Sequence, residues 1–441
     1  MRLQAPQRTG VVFFPAFDWA IDPTHPEREE RLLYTRDQLF EEGMFDIDGI
    51  VEFPPRVADL ADLERVHTGV PDLRGHVSPS HLVSAGGAIE AAVRVMEGEV
   101  ERAFALVRPP GHHARRVVHG LRGFCVVNIE AAMIEHLRRR YGDLRVAIVD
   151  TDCHHGDGTQ DIYWNDPDTL FISIHQDGRT LYPGTGFPDE FGGPNAYGTT
   201  INVPLPPGTT DDGLLHVIDH LVLPVLEEWK PDLIVNSAGQ DNHFTDPITD
   251  MAITAQGYAT LTRRLRAHVA VLEGGYSVQS ALPYVNTGIL LAMAGLDTSA
   301  VVEPDYQPGL LRMGERARQY VERLSELLLE KFRRRDELRA QAVRGRTHLE
   351  ETRSVFYDGA GIREQQRERV RVCDDCAGAV VLESWERPAD KILRVEIPRH
   401  ACPACRAEAE DAFHRASTDA YLLVELLDRP HDRVERKRRA G

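Results

Sequence analysis

The segment VDTDCHHGDGTQ (149–160) crowds Asp150, Asp152, His154, His155 and Asp157 into one short stretch. It follows the apolar, β-branched run LRVAI (144–148), which reads as a buried strand, so the cluster sits where that strand ends. In open α/β sheets, sites form at strand ends. Asp152 and His154 are two apart on an extended segment and can offer an oxygen and a nitrogen to one divalent ion from the same side. The best third ligand is Asp241, in NSAGQDNH after the apolar run DLIV, because it leaves a strand end at the same edge. Two carboxylates and one imidazole leave an open position for water or substrate, as a catalytic zinc requires. Alone, Asp-x-His is more often a turn former or helix cap.

A second segment changes that balance. In RPPGHHA (108–114), His112 and His113 follow a rigid Pro-Pro and a Gly, and a buried imidazole needs a partner for each nitrogen. Asp150 and Asp157 can supply these partners. A His–Asp pair fixes the tautomer and raises basicity, giving a group able to take a proton from water and return it to a leaving amine. LEGGY (272–276) adds Tyr276, whose hydroxyl could stabilise an oxyanion, although a lone Tyr after Gly-Gly is more often a packing residue.

The elements that must position these groups are legible as apolar runs. VVFFPAF, AFALVRPP, RVAIVD, LFISIH, LIVNSAG and HVAVLEGG alternate with helical patterns over residues 1 to about 300, which predicts an α/β fold with a central parallel sheet and helices on both faces. From about 310, Tyr320, Leu324, Leu327, Leu328 and Phe332 recur at helical spacing among charges, predicting a helix packed on the body rather than a coiled coil. The final RVERKRRAG reads as a solvated basic tail. The chain has 441 residues, 42% hydrophobic and 27% charged, with a net charge of -18 that argues against nonspecific nucleic-acid or anionic-membrane binding by the body. No run is long enough for a signal-peptide core or a membrane span, so a cytoplasmic location is the expectation, and disulfides are not expected.

HPEREERL (25–32), RPPGHHA, GFCVVNIEAA (123–132), VDTDCHHGDGTQ, SIHQ followed by LYPGTG, NSAGQD and LEGGY occur together in this order. In them the chain resembles the zinc-dependent histone deacetylase superfamily over residues 11 to about 300, closest to class II-like and bacterial members, including acetoin-utilisation and acetylpolyamine amidohydrolase relatives. The resemblance implies an arginase/deacetylase-like three-layer fold and an amidohydrolase that removes acetyl or other acyl groups from an amine such as acyl-lysine. It implies a catalytic zinc on Asp152, His154 and Asp241, His113 as general base and acid with Asp157 as partner, and His112 as an electrostatic histidine paired with Asp150. Tyr276 would polarise the substrate carbonyl, Phe124 and Tyr182 would wall the acyl-lysine channel, and Gly123 and Gly275 would line it. Asp150, Asp152, His154, Ser173 and Ile174 match an inner potassium site, and Arg31 matches the arginine of an acetate-exit cavity. Ile248 stands where polyamine-selective members carry a gating glutamate, which favours acyl-lysine or an uncharged amide over acetylpolyamine. The acidic loop residue that holds a peptide backbone in many members is not identifiable in HVSPSHLVSAGG.

Later in the chain, Cys373-x-x-Cys376 and Cys402-x-x-Cys405 flank KILRVEIP, which predicts a structural zinc ribbon closing a module too small for its own core. The expected organisation is a catalytic domain over 1–305, an amphipathic helical segment and linker over 306–365, and the ribbon with its basic tail over 366–441. The helix and ribbon could dock a second copy or a protein partner, and all catalytic candidates precede residue 277. Two other function classes fit the sequence less well. A two-manganese ureohydrolase of the same fold lacks its four-carboxylate constellation here, and a ribbon-centred binding module with an inactive body sits poorly with the retained catalytic positions.

Overall fold

The computed structural model describes residues 3–439 apart from 305, 308 and 310. Eight parallel strands form the main sheet: β1 (Gln4–Phe14), β2 (Asp48–Phe53), β4 (Arg102–Val107), β6 (Val146–Asp150), β7 (Thr169–Gln176), β8 (Thr200–Leu205), β9 (Leu233–Ala238) and β10 (Val269–Leu272), in the order β2-β1-β4-β10-β9-β6-β7-β8. Short β3 (Thr68–Gly69) and β5 (Val117–Val118) pair beside it. Strand alternation sends Phe104, Leu106, Ala147 and Val149 to one face and Ala103, Ala105, Val146 and Ile148 to the other. Both faces are therefore apolar and both are covered, as a parallel sheet requires. The helices Glu30–Glu41, Ala255–Leu265 and Leu282–Met293 cover the first, and Pro79–Met96 and Ile129–Tyr141 the second. The order β4-β10-β9-β6-β7 brings the C-terminal ends of five neighbouring strands to one edge, where the segments carrying His112, Tyr276, Asp241 and Asp152 all emerge.

The helix Glu315–Arg333 packs on this body through Val321, Leu324, Leu328 and Phe332, while Leu327 is exposed. A shorter helix, Arg335–Ala342, follows. The chain then enters a second, six-stranded sheet in sequential order: β11 (His348–Tyr357), β12 (Ile362–Arg371), β13 (Val380–Trp385), β14 (Ile392–Ile397), β15 (Leu423–Asp428) and β16 (Arg433–Arg438). This corrects three expectations. The segment 348–365 is sheet rather than helical linker, RVERKR is an edge strand rather than a free tail, and the module has a core of its own. Residues 440 and 441, the end of that expected tail, lie outside the described residues.

The two faces of the second sheet are chemically different. Leu393, Val395, Val424 and Leu426 point to the helix Pro403–Arg415, where they meet Ala409 and Phe413. The alternate positions Arg394, Glu396 and Glu425 are also buried, on the face toward the body. Arg394 donates to Thr68 Oγ1 at 2.7 Å, and Thr68 donates in turn to Glu425. Arg116 of the body reaches Glu368 of β12, and Tyr357 donates its hydroxyl to Val117 O. Among the described residues, no helix is long and apolar enough to cross a membrane.

Glu135 is the clearest hinge of this polar interface. It accepts from Arg399 at 3.0 Å and from Arg429 at 2.9 Å, both beyond β14, and from Arg138 of its own helix at 3.1 Å. Burial disfavours its charged form, but Arg399, Arg429 and Arg138 more than reverse this and hold the carboxyl at about 2, against an ordinary 4.5. Because the folded value is depressed, the stabilisation is complete above about pH 4.5 and is lost as pH falls through about 2. Glu135→Gln takes the nearest carboxylate from Arg399 and Arg429, while Arg138 keeps Asp166 at 2.7 Å and Arg429 keeps Glu396 at 3.3 Å, and it is expected to cost about 3 kcal/mol at neutral pH, the low end for a broken buried pair. Denaturant melts should show that deficit shrinking between pH 4.5 and 2, where wild type loses the same charge.

Candidate active site

The loop after β6 and the loop after β9 bring Asp152, His154 and Asp241 together, with ligand-capable atoms within 4.8 Å of one another. His154 Nδ1 lies 3.2 Å from Asp152 Oδ1 and 2.9 Å from Asp241 Oδ2. Backbone amides aim both carboxylates: Gly274 N–H donates to Asp152 Oδ2 at 2.7 Å, and Cys153 N–H to Asp241 Oδ1 at 2.8 Å. A Cβ on Gly274 would stand 2.4 Å from Asp241 Oδ2 and 2.6 Å from Asp152 Oδ2, so only glycine lets the end of β10 close over the pair. Among the described residues, no lysine or arginine forms an ion pair with either carboxylate. Burial disfavours the charged form of His154, yet its hydrogen bonds to Asp152 and Asp241 hold it up at about 10, a measure of how strongly this corner attracts a cation. The donor set fits a divalent ion that accepts oxygen and nitrogen.

The loop after β4 adds the histidine pair. His112 Nδ1 lies 3.2 Å from Asp150 Oδ2, with Nε2 at 3.8 Å from Asp152 Oδ1, and His113 Nδ1 lies 2.9 Å from Asp157 Oδ1. Burial pushes both rings toward neutrality. For His112, the carboxylates of Asp152 and Asp150 reverse that and hold it well above the ordinary histidine value. For His113, burial and the charge on His112 outweigh Asp157 and hold it at about 3. The two rings are thus pushed in opposite directions, His112 toward the cation and His113 toward the neutral form, which with Nδ1 on Asp157 leaves Nε2 to accept. A cation seated on Asp152 and Asp241 would oppose the pull on His112. Burial also raises the Tyr276 phenol well above its ordinary value, against Arg31, so it stays an O–H donor.

A cavity of about 290 Å³ connects these groups to solvent, lined by His112, His113, His154, Gly123, Phe124, Leu181, Tyr182, Ile248, Tyr276 and Asp358. Phe124 and Tyr276 meet edge to face with centroids 5.6 Å apart, and Tyr182 meets His113 in the same way at 5.1 Å. Gly123 has φ +52°, and a Cβ there would stand 2.3 Å from the His113 ring. Gly275, expected in the lining, is not part of it. Its carbonyl instead accepts from Arg31 Nε at 2.7 Å, behind the Tyr276 ring. Ser173 is the register neighbour of Asp150 on β7, and Ile174 follows it, both buried.

Several residues escaped the sequence reading. Arg115 and Arg122 donate to Asp157 at 2.9 and 2.7 Å, and Arg115 also donates to Asp161 at 2.7 Å. Asp161 lies one helical turn beyond Asp157, a spacing that could have marked it as a partner on the same face. Asp246 accepts from Tyr276 N–H at 2.8 Å and so holds the tyrosine's backbone. Asp358 had no local signal.

The four late cysteines also converge. Cys373 Sγ lies 3.8 Å from Cys402 Sγ and 3.7 Å from Cys376 Sγ, and Cys405 completes the cluster. These separations are far beyond the ~2.05 Å of a disulfide. They match the ~3.8 Å edge of a tetrahedron whose metal–sulfur bonds are ~2.3 Å, the zinc–thiolate value. Amide groups of Asp375 and Gly378 donate to the first two-cysteine knuckle, each at 3.4 Å.

Comparison with known proteins gives a consistent result. The family model described as Histone deacetylase domain matches residues 73–291. A probable deacetylase of Archaeoglobus fulgidus is 49% identical over 332 residues, covering 69% of this chain and 91% of that protein. The acetoin utilization protein AcuC of Bacillus subtilis is 32% identical over 338 residues, covering 67% of this chain and 84% of that one. The crystal structure of the HDA15 HD domain superposes with a TM-score of 0.65 at 27% identity, covering 76% of this chain and 98% of that one.

Both clusters are expected to take zinc and to do so independently. Asp241→Asn should remove one metal equivalent while leaving the fold's melting temperature close to wild type, whereas Cys376→Ser should remove the other and lower it. Elemental analysis beside thermal melts checks this. A variant that loses both equivalents, or neither, contradicts it.

Proposed function

Because the chain belongs to the histone deacetylase family, we propose that it hydrolyses the amide of an acylated amine such as acyl-lysine, releasing the acyl group as a carboxylate. The observation that carries this reading is the placement of His112 and His113, each on its own carboxylate, with Tyr276 and the Asp152–His154–Asp241 cluster around one narrow cavity. A zinc ion held by Asp152, His154 and Asp241 would supply Lewis acidity toward the scissile carbonyl and acidify water. A potassium ion behind it, near Asp150, Ser173 and Ile174, belongs to the same reading.

The chain's own groups account for the proton traffic. Neutral His113 accepts a proton at Nε2 from the attacking water, and Asp157 steadies the imidazolium that forms. Burial would raise the Asp157 carboxyl, but Arg122, His113 and Arg115 hold it well below its ordinary value, so it stays ionised throughout. Tyr276 O–H donates to the carbonyl oxygen as negative charge develops there, and His112, held by Asp150, flanks it from the other histidine position. His113 then delivers its proton to the departing nitrogen as the C–N bond breaks, giving the amine and the carboxylate. Phe124 and Tyr182 exclude water around an unbranched chain, and Ile248 places no charge against it. A small acylated amide is the alternative substrate type. A binding module with an inert body would have no use for two carboxylate-held histidines and a tyrosine lining the same cavity as His154.

Tyr276→Phe removes one hydroxyl and should lower kcat about 100- to 1000-fold while hydroxamate binding persists. His113→Ala should suppress turnover of acetyl-lysine peptide, acetylpolyamine and small amides alike, since water loses its base and the amine its acid. Near-native hydrolysis by both variants across that panel would refute the assignment.

A further inference from the structure

The turn between β11 and β12 is solvent-exposed but rests on the loop that leads into the active site. Tyr357, whose hydroxyl donates to Val117 O, lies with its ring 5.5 Å from that of His119, and His119 Nε2 is 2.9 Å from Ser384 Oγ of β13. A Cβ on Gly359 would stand 2.7 Å from Leu121 Cδ2, so the backbone of the turn rests directly on the loop that leads into Gly123 and Phe124. Asp358, between these two contacts, is thereby held at the cavity's mouth and lines it.

The two carboxylate oxygens of Asp358 are unequally engaged. Oδ1 accepts from Gly123 N–H at 3.0 Å and from Tyr182 O–H at 3.1 Å, tying together two segments of the channel wall that come from separate loops. Oδ2 has no hydrogen-bond partner among the described residues, and the side chain is exposed. The geometry therefore presents one free carboxylate oxygen at the mouth of a channel to which Leu181, Phe124 and Ile248 contribute apolar wall. Asp358 also lies outside residues 73–291, which match the family model, so the C-terminal sheet brings to the site a group that the matched region does not contain.

We propose that Asp358 is a specificity-determining residue. Its Oδ2 accepts a hydrogen bond from an N–H of the substrate body just outside the channel, so that acylated amines carrying such a donor are preferred over plain alkyl amides. The donor could be the backbone amide of an acyl-lysine peptide or the α-ammonium of free acyl-lysine. This rests on the amidohydrolase reading above. The C-terminal sheet is then part of the substrate site and not only a zinc-stabilised appendage.

Asp358→Asn is the informative variant in the full-length, metal-loaded protein, because the amide keeps an oxygen for Gly123 and Tyr182 and loses the charge. An Nα-acetylated, C-amidated peptide containing Nε-acetyl-lysine offers backbone donors alone, free Nε-acetyl-lysine offers the ammonium, and N-butylacetamide offers neither. Loss of a charge-assisted hydrogen bond predicts KM raised about 10- to 100-fold for the substrate class that is recognised, with kcat little changed and N-butylacetamide unaffected. Which of the two donor substrates responds identifies the donor. Equal losses on all three would show that Asp358 only braces the wall, and unchanged KM on all three would show that it does not meet substrate; either overturns the proposal. Calorimetric titration of the peptide and of free Nε-acetyl-lysine into Tyr276→Phe, with and without Asp358→Asn, reads the same contact without turnover. Equal affinities of both ligands for the two proteins would overturn the proposal even if the hydrolytic reading failed separately.

Discussion

Buried carboxylates at the C-terminal edge of the parallel sheet are the constraint around which the rest of the molecule is arranged. Asp150, Asp152, Asp157, Asp161, Asp241 and Glu273 are each no more than 3% exposed. A buried carboxylate without a partner is costly, so each demands compensation. Asp150 and Asp157 take imidazoles, Asp157 and Asp161 take arginines, and Glu273 takes the backbone amides of Gly111 and His112 at 2.8 and 3.1 Å. Asp152 and Asp241 are left with His154, the more distant His112 Nε2 and three backbone amides, and with no arginine or lysine paired to them among the described residues. That shortfall makes the corner a cation site, and it places the cation beside the histidine pair and the tyrosine.

The same compensation ties the chemistry to the second sheet. Asp157 and Asp161, one turn apart on the helix Asp157–Tyr163, share Arg115. Asp161 continues through Arg116 at 3.2 Å and Arg353 at 3.3 Å, and both arginines converge on Glu368 of β12. An unbroken run of buried charges therefore links the base His113 to the appended sheet. Removing a member of such a run exposes its neighbours to the cost of burial, which makes docking and the ionisation of Asp157 interdependent. The four-cysteine cluster anchors the same sheet, with Cys405 packed in the core against Ala409 and Phe413 and Cys373 N–H donating to Asn195 of the body at 2.9 Å.

The parallel sheet was legible in the sequence because its strands are buried on both faces and read as unbroken apolar runs. Asp152, His154 and Asp241 were legible because they follow such runs directly. The second sheet was not, and its residues show why. In β12, Gln366 and Glu368 are buried against the body, so IREQQRERVR lacks the alternation of apolar and polar residues that marks a strand. RVERKR in β16 is an edge strand of mostly charged residues and looks like a solvated tail. Asp358 is separated from Gly123 by 235 positions and becomes a site residue only through the docking of two units, which no local pattern encodes.

Unmet buried charge at Asp152 and Asp241 and four converging thiolates offer two chemically distinct sites for a metal ion in one chain. X-ray absorption at the zinc edge of the fully loaded protein tests this most directly. Two superposed shells of comparable weight are expected if both sites hold zinc, one of sulfur near ~2.3 Å and one of oxygen and nitrogen near ~2.0–2.2 Å, with only the second changing when a hydroxamate is added. A single all-sulfur shell that no hydroxamate perturbs would contradict it.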